Sequence, residues 1–232
     1  MNDIEVCILS GGLGTRLQEI LLGKPKVIAH IAGRPVITYI FDQLISDGFN
    51  QVCLLTGFKS NYIKKTIGGS YKSLKIIYSE EKEPLGTGGA VKLFAEKCNK
   101  DNLLLLNGDT LVNLSRKDFI NKIPIGFDAI LSLQVSNIAR YGKLIHDKDF
   151  NVTSILEKTN INEPGLINSG TYLIKRKDIL KFPKNKFSIE KDYIPLLINS
   201  KGIKTVVFKA SFLDIGVPID FYKADDFIKK YF

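Results

Sequence analysis

A short apolar run, Val6 to Leu9, ends abruptly in Ser10-Gly11-Gly12-Leu13-Gly14-Thr15-Arg16-Leu17. An apolar run of that length reads as a strand buried inside a sheet, so the glycines that follow stand at the carboxyl end of a strand. That is where open α/β sheets bind ligands. Gly11, Gly12 and Gly14 let backbone N–H groups approach phosphate oxygens without interference from a Cβ. Arg16 adds a planar fork able to grip two phosphate oxygens, and Lys26, in Pro25-Lys26, adds a mobile point charge. Two other phosphate loops are excluded by spacing. A dinucleotide fingerprint needs a third glycine where Leu17 stands, and a P-loop needs Gly-Lys-Ser/Thr after four intervening residues.

Strand-like runs recur at 4–9, 51–56, 74–78 and 103–107, separated by stretches with helical spacing. This alternation predicts an α/β chain with three layers, a mixed but mainly parallel central sheet flanked by helices. The clearest helix is expected to start at Pro35, where a missing N–H costs nothing, and to stop at Gly48. Beyond Asn107-Gly108-Asp109-Thr110 the pattern changes. Strands expected at 130–135, 143–146, 152–156 and 171–174 have few long helices between them, which predicts a partly antiparallel portion of the same sheet. A helix at 189–199, a strand at 205–208 and a closing helix at 218–230 complete the expectation. No repeat of fixed period occurs, and no hexapeptide repeat that would build a β-helix follows the last helix. At 232 residues one domain suffices, with a nucleotide-binding half at 1–110 and a second half at 111–232.

A net charge of +9 admits nucleic acid, anionic membrane or phosphorylated small molecules as partners. Lysines are scattered without a block of five or six, and no helix-turn-helix or RNP-type aromatic motif is present, so nucleic acid is not expected. Neither a signal peptide nor a membrane helix fits the acidic start and the short apolar run, which places the expected protein in the cytoplasm. Cys7, Cys53 and Cys98 lack CxxC spacing and are odd in number, so they read as reduced core residues.

The string Gly11-Gly12-Leu13-Gly14-Thr15-Arg16-Leu17 with Pro25-Lys26 resembles the signature of the sugar-1-phosphate nucleotidylyltransferases, and further motifs extend the likeness along nearly the whole chain. The resemblance implies a Rossmann-like nucleotidyltransferase fold. It implies a nucleotide site made of Leu9, Gly11, Gly12, Gly14 and Thr15 with Glu83, Gly86, Thr87 and Gly88 from Glu83-Pro84-Leu85-Gly86-Thr87-Gly88-Gly89-Ala90. It implies a sugar-phosphate site at Gly142, Glu157, Lys158, Asn168, Gly170 and Tyr172, and Mg²⁺ held by Asp109 and Asp214. Both carboxylates follow expected strands, where a hard cation could sit between protein and phosphates. Arg16 and Lys26 are the implied catalytic residues.

The implied reaction is attack of a sugar 1-phosphate on the α-phosphorus of a nucleoside triphosphate, with catalysis by positioning and charge stabilisation. The Pro-Leu-Gly-Thr form points to GTP. The chain as a whole is most similar to the D-glycero-α-D-manno-heptose 1-phosphate guanylyltransferases of surface polysaccharide assembly, with mannose 1-phosphate and GTP, or glucose 1-phosphate and UTP or dTTP, as alternatives. A glycosyltransferase would share the sheet and a metal carboxylate but has no need of Arg16 and Lys26, and non-catalytic relatives of the fold typically lose these cations. Members of the family often form homo-oligomers, although no stripe in the sequence marks an interface. Two departures from the family pattern, Ser10 and His30, leave the cations untouched, and His30 reads as structural.

Overall fold

Four strands, Asn102–Asn107, Ile4–Leu9, Gln51–Thr56 and Leu74–Glu80, lie side by side in that order and run parallel in a computed structural model that describes residues 3–12, 14–156 and 161–232. The chain moves outward from Ile4–Leu9 through two neighbours, then returns to pair Asn102–Asn107 on its other side. The loops leaving Ile4–Leu9 and Asn102–Asn107 therefore diverge at a topological switch point, which opens a crevice at the carboxyl ends. The glycine loop and Gly108-Asp109 are the two loops concerned.

Alternation along the strands sends successive side chains to opposite faces and makes two cores. Val6, Ile8, Leu104 and Leu106 face a helix, Ile37–Ser46, through its Ile37, Ile40, Phe41 and Leu44. Cys7, Cys53, Leu103 and Leu105 face Val91, Phe94 and Ala95 of the helix Gly86–Ala95. The three-layer α/β architecture follows from these paired faces. The three cysteines are buried and free, and burial pushes the Cys53 and Cys98 thiols up to about 12 and that of Cys7 well above its ordinary value. No helix among the described residues is long and apolar enough to cross a membrane.

The second half joins the sheet through one long strand, Gly165–Lys175, antiparallel to Asn102–Asn107. This strand pairs with Ala129–Val135 along most of its length and with Lys143–His146 through Ile167, and Lys204–Phe208 then adds in parallel to Ala129–Val135. Pairing with Ala129–Val135 breaks between Asn168 and Tyr172. Gly170 lies in that break with φ of 72°, and a Cβ on it would stand 2.3 Å from Asn107 Nδ2. Both the backbone conformation and the space demand glycine. Gly170→Ala should lower Tm by roughly 5 °C, while Gly69→Ala, with open space around it, should change it little. Equal melting temperatures for the two variants would show that this kink is not under steric constraint.

The expected helix starts two residues later than Pro35. Arg34–Pro35 pairs instead with His30–Ile31 in a small hairpin, and the helix begins at Ile37. Gly48 ends it as expected, with φ of 86° and its N–H donating to the Ile45 carbonyl. The 189–199 helix is split into a π-helical turn, Ile189–Tyr193, and an α-helix, Ile194–Ser200. The closing helix spans Pro218–Tyr231.

Candidate active site

The glycine loop is fixed at its root and open at its tip. Ser10 N–H donates to the Leu55 carbonyl and its hydroxyl to the Ile8 carbonyl, so this departure from the family pattern is a buried backbone tie. A Cβ on Gly11 would come within 3.1 Å of Gly57 N and 3.3 Å of Glu81 Oε1, whereas one on Gly12 would meet nothing within 4 Å. The free space needed by a phosphate is therefore at Gly12. Gly14 adopts φ of 59° and starts a 3₁₀ turn, Thr15–Leu17, that buries Leu17 and leaves Thr15 and Arg16 exposed. Leu13 lies outside the described residues.

Lys26 runs along this turn, its Cβ and Cε 3.7 and 3.8 Å from where a Gly14 side chain would start. Its ammonium meets Asp109 Oδ2 at 2.7 Å. Asp109 is brought there by Gly108, whose missing side chain leaves room for the Leu9 carbonyl 2.5 Å from the position of a Cβ. Thr110–Val112 pairs antiparallel with Phe212–Asp214, Thr110 opposite Asp214, and Ile215 N–H donates to the Asp109 carbonyl. Two carboxylates far apart in sequence thus reach one place.

Two cavities meet at this point. The larger, about 370 Å³, is lined by Leu9, the glycine loop, Glu81, Pro84, Gly86, Thr87 and Glu190. The smaller, about 170 Å³, is lined by Arg16, Tyr141, Asn168, Ser169, Gly170 and Asp214. Lys26, Asn107 and Asp109 line both. A cation standing between two compartments can touch a group in each, which is what transfer between two bound phosphates requires. Among the described residues no cluster of three or more His, Cys, Asp or Glu side chains forms a metal cage. Asp109 and Asp214 offer two hard oxygen donors to one cavity, which suits Mg²⁺, an ion usually held by one or two carboxylates with substrate phosphates and water completing its shell.

The loop expected to face the base is shaped by an unforeseen neighbour. Phe187 N–H donates to the Leu85 carbonyl, and its own carbonyl accepts from Gly88 and Gly89 N–H, so residues 185–190 form a strap across the loop. A Cβ on Gly88 would lie 2.1 Å from the Phe187 ring, and one on Gly86, at φ 76°, would lie 2.6 Å from the Phe187 carbonyl oxygen. Gly88 is accordingly buried under the strap and lines neither cavity, while Gly86 and Thr87 do face the larger one. Glu83 is exposed and outside both cavities; the carboxylate that this end of the chain segment does bring to the larger cavity is Glu81. Its Oε2 accepts from Leu85 N–H at 3.0 Å. Burial pushes its carboxyl above its ordinary value, and the Leu85 amide partly offsets this. Strand periodicity carries the missing signal, since Glu80 points outward to Lys64 and the next residue must point the other way.

Of the expected sugar-side residues, Asn168 and Gly170 line the smaller cavity. Tyr172 does not; it is buried, its hydroxyl accepting from Asn168 Nδ2 at 2.8 Å and donating to Glu190 Oε1 at 3.2 Å. Burial and the Glu190 charge push its phenol far up, so it stays neutral. Gly142 lines neither cavity and is held where a Cβ would lie 3.0 Å from the Leu156 carbonyl oxygen. Glu157 and Lys158 lie outside the described residues. Tyr141 lines the smaller cavity with its ring against Phe212. His30 is exposed and outside both cavities.

A model of the nucleotidyl transferase family matches residues 5–231. The chain is 38% identical over 232 residues to the D-glycero-alpha-D-manno-heptose 1-phosphate guanylyltransferase of Aneurinibacillus thermoaerophilus, covering 98% of this chain and 100% of that protein. It is 29% identical over 231 residues to the mannose-1-phosphate guanylyltransferase of Mycobacterium tuberculosis, covering 96% of this chain but 64% of the relative. The crystal structure of HddC from Yersinia pseudotuberculosis complexed with GMP-PN matches with a TM-score of 0.87 and 37% identity, over 97% of this chain and 99% of that one.

Proposed function

The chain belongs to the nucleotidyl transferase family, and on that premise we propose that it transfers GMP from GTP to D-glycero-α-D-manno-heptose 1-phosphate, giving GDP-heptose and pyrophosphate. The observation that carries the reading is Lys26 at the junction of two cavities, 2.7 Å from Asp109. GTP occupies the larger cavity and the sugar 1-phosphate the smaller. Its phosphate oxygen forms a bond to the α-phosphorus as the bond from that phosphorus to the bridging oxygen of pyrophosphate breaks, the electron pair leaving with pyrophosphate.

Lys26 lies against both reacting phosphates and neutralises charge as it builds at the α-phosphate. Arg16, exposed on the turn that follows the glycine loop and lining the smaller cavity, is mobile enough to swing to the leaving pyrophosphate and grip it. Asp109 and Asp214 would hold Mg²⁺, which when bound supplies positive charge to the phosphate oxygens. Guanine presents N1–H and N2–H donors on one edge, and Glu81 presents two acceptor oxygens, a complementarity that adenine lacks. Both halves of the chain contribute to one site, so residues 1–232 act as one transferase unit, in the cytoplasm where its phosphorylated substrates are, supplying surface polysaccharide synthesis.

Pyrophosphate release measured with GTP, ATP, UTP and dTTP against heptose, mannose and glucose 1-phosphates tests the reading. GTP with the heptose 1-phosphate should give the highest kcat/KM. A preference for UTP or dTTP would overturn the guanylyl assignment, and a preference for mannose 1-phosphate would move the sugar assignment to the second relative's activity.

A further inference from the structure

Glu190 is a carboxylate at the site to which the transfer chemistry above gives no task. It lies one residue into the π-helical turn Ile189–Tyr193, a distortion frequent where side chains are aimed at ligands, and it lines the larger cavity. Its Oε2 accepts from the hydroxyls of Thr87 at 3.1 Å and Ser188 at 3.0 Å, and its Oε1 accepts from the Tyr172 hydroxyl at 3.2 Å. A carboxylate has about four acceptor positions, so one remains on Oε1. Among the described residues Glu190 forms no ion pair. Three hydroxyls on three separate segments hold its orientation while leaving its charge uncompensated. A negative group in that position repels phosphate oxygens and attracts neutral donors, and on a nucleotide or sugar phosphate those donors are hydroxyls and base N–H groups. The base N–H groups already have Glu81. Tyr172 also accepts from Asn168, which lines the smaller cavity, so two hydrogen bonds tie Glu190, on the wall of the larger cavity, to the wall of the smaller one.

We propose that the free acceptor position of Glu190 receives a hydrogen bond from a ring hydroxyl of the sugar 1-phosphate, making Glu190 a sugar-selecting residue; the assignment rests on the transfer reaction proposed above. The position is set in advance by Thr87, Ser188 and Tyr172, so the contact needs no reorganisation when sugar arrives. A sugar lacking that hydroxyl leaves an oxygen of this half-buried carboxylate without its partner once the substrates fill the site, which is the kind of loss that separates substrates.

The experiment pairs Glu190→Gln with deoxygenated substrates in a pyrophosphate-release assay, each substrate varied at saturation of the other. Glu190→Gln should raise KM for the sugar 1-phosphate about tenfold or more while leaving KM for GTP within about twofold. One monodeoxy form of the sugar 1-phosphate should cost the wild type about as much, and should cost the variant little further, because the two changes remove the same contact. Glu190→Asp keeps the charge but withdraws the oxygens, and it should reproduce the selective rise where the glutamine variant does not fold. Fully additive losses for every deoxy position would overturn the proposal, since a purely structural role predicts that result. A loss that instead tracks 2′-deoxy- or 3′-deoxy-GTP would place the carboxylate on the ribose and overturn it too. A wild type that releases no pyrophosphate from any substrate pair would defeat the transfer reading and this assignment together, a failure visible before any variant is made.

Discussion

Lys26→Ala lowers kcat for pyrophosphate release by about 100-fold or more, roughly 2.7 kcal/mol of lost transition-state stabilisation, and lowers kcat/KM for both substrates in proportion. The size follows from position. Lys26 lies at the junction of the two cavities, its side chain only 14% exposed, and its stem is packed along Gly14, so in the proposed reaction its charge would meet the two phosphates without reorganising. Lys26→Arg should not restore the rate, because a planar fork cannot fill the space of a compact ammonium beside Asp109. Loss of the pair should leave the fold nearly unaffected, since the Asp109 side chain is 32% exposed and water can solvate it. A near-normal Tm with a collapsed kcat in single-turnover measurements is therefore the expected pair of results. Turnover within tenfold of wild type would remove Lys26 from the chemistry.

The cations were legible because their signal is local. A strand, three glycines and two basic residues lie within 26 residues, and strand periodicity alone carries the loop to the carboxyl end of the sheet. Asp109 and Asp214 were legible as strand-end carboxylates, although their meeting depends on Thr110 pairing opposite Asp214, which no local pattern announces. The strap was not legible at all. Phe187 lies about 100 residues from Gly88, and nothing in Lys186-Phe187-Ser188 marks it as the reason for the glycines at 86, 88 and 89. Those glycines look from sequence like room for a base, whereas all three make room for Phe187 or Asn185 and only Gly86 also faces the cavity. Glu190 was hidden for the same reason, its partners Thr87 and Tyr172 being contributed by distant segments. The helix expected at Pro35 failed for a different reason: pairing of Arg34–Pro35 with His30–Ile31 outweighed the preference of proline for a first helical turn.

Glu81, a second carboxylate that the sequence did not single out, should produce the second large effect. Glu81→Gln should cut kcat/KM for GTP by about 10-fold to 100-fold, the loss of one charge-assisted hydrogen bond and the placing of an amide N–H against a guanine N–H. The same change should improve UTP and dTTP relative to GTP, because a glutamine amide offers one donor and one acceptor, the pattern that complements the N3–H and O4 of a uracil or thymine ring. Glu81 is suited to such discrimination by its setting: Oε2 is held by Leu85 N–H, and Oε1 lies where a Gly11 or Gly57 side chain would strike it. The raised carboxyl fixes the sign of the pH dependence. Burial favours the neutral form, so the proton leaves at a higher pH than from an ordinary glutamate, and only the ionised form accepts two guanine donors. Lowering pH through that raised value should weaken kcat/KM for GTP above the pH at which a solvent-exposed glutamate, near 4.3 on the usual scale, would begin to titrate. Glu81→Gln should abolish this acid limb for GTP while leaving any limb from phosphate ionisation. Retention of full GTP selectivity by the variant, with an unchanged acid limb, would assign base reading to the backbone of residues 84–87 instead of to this side chain.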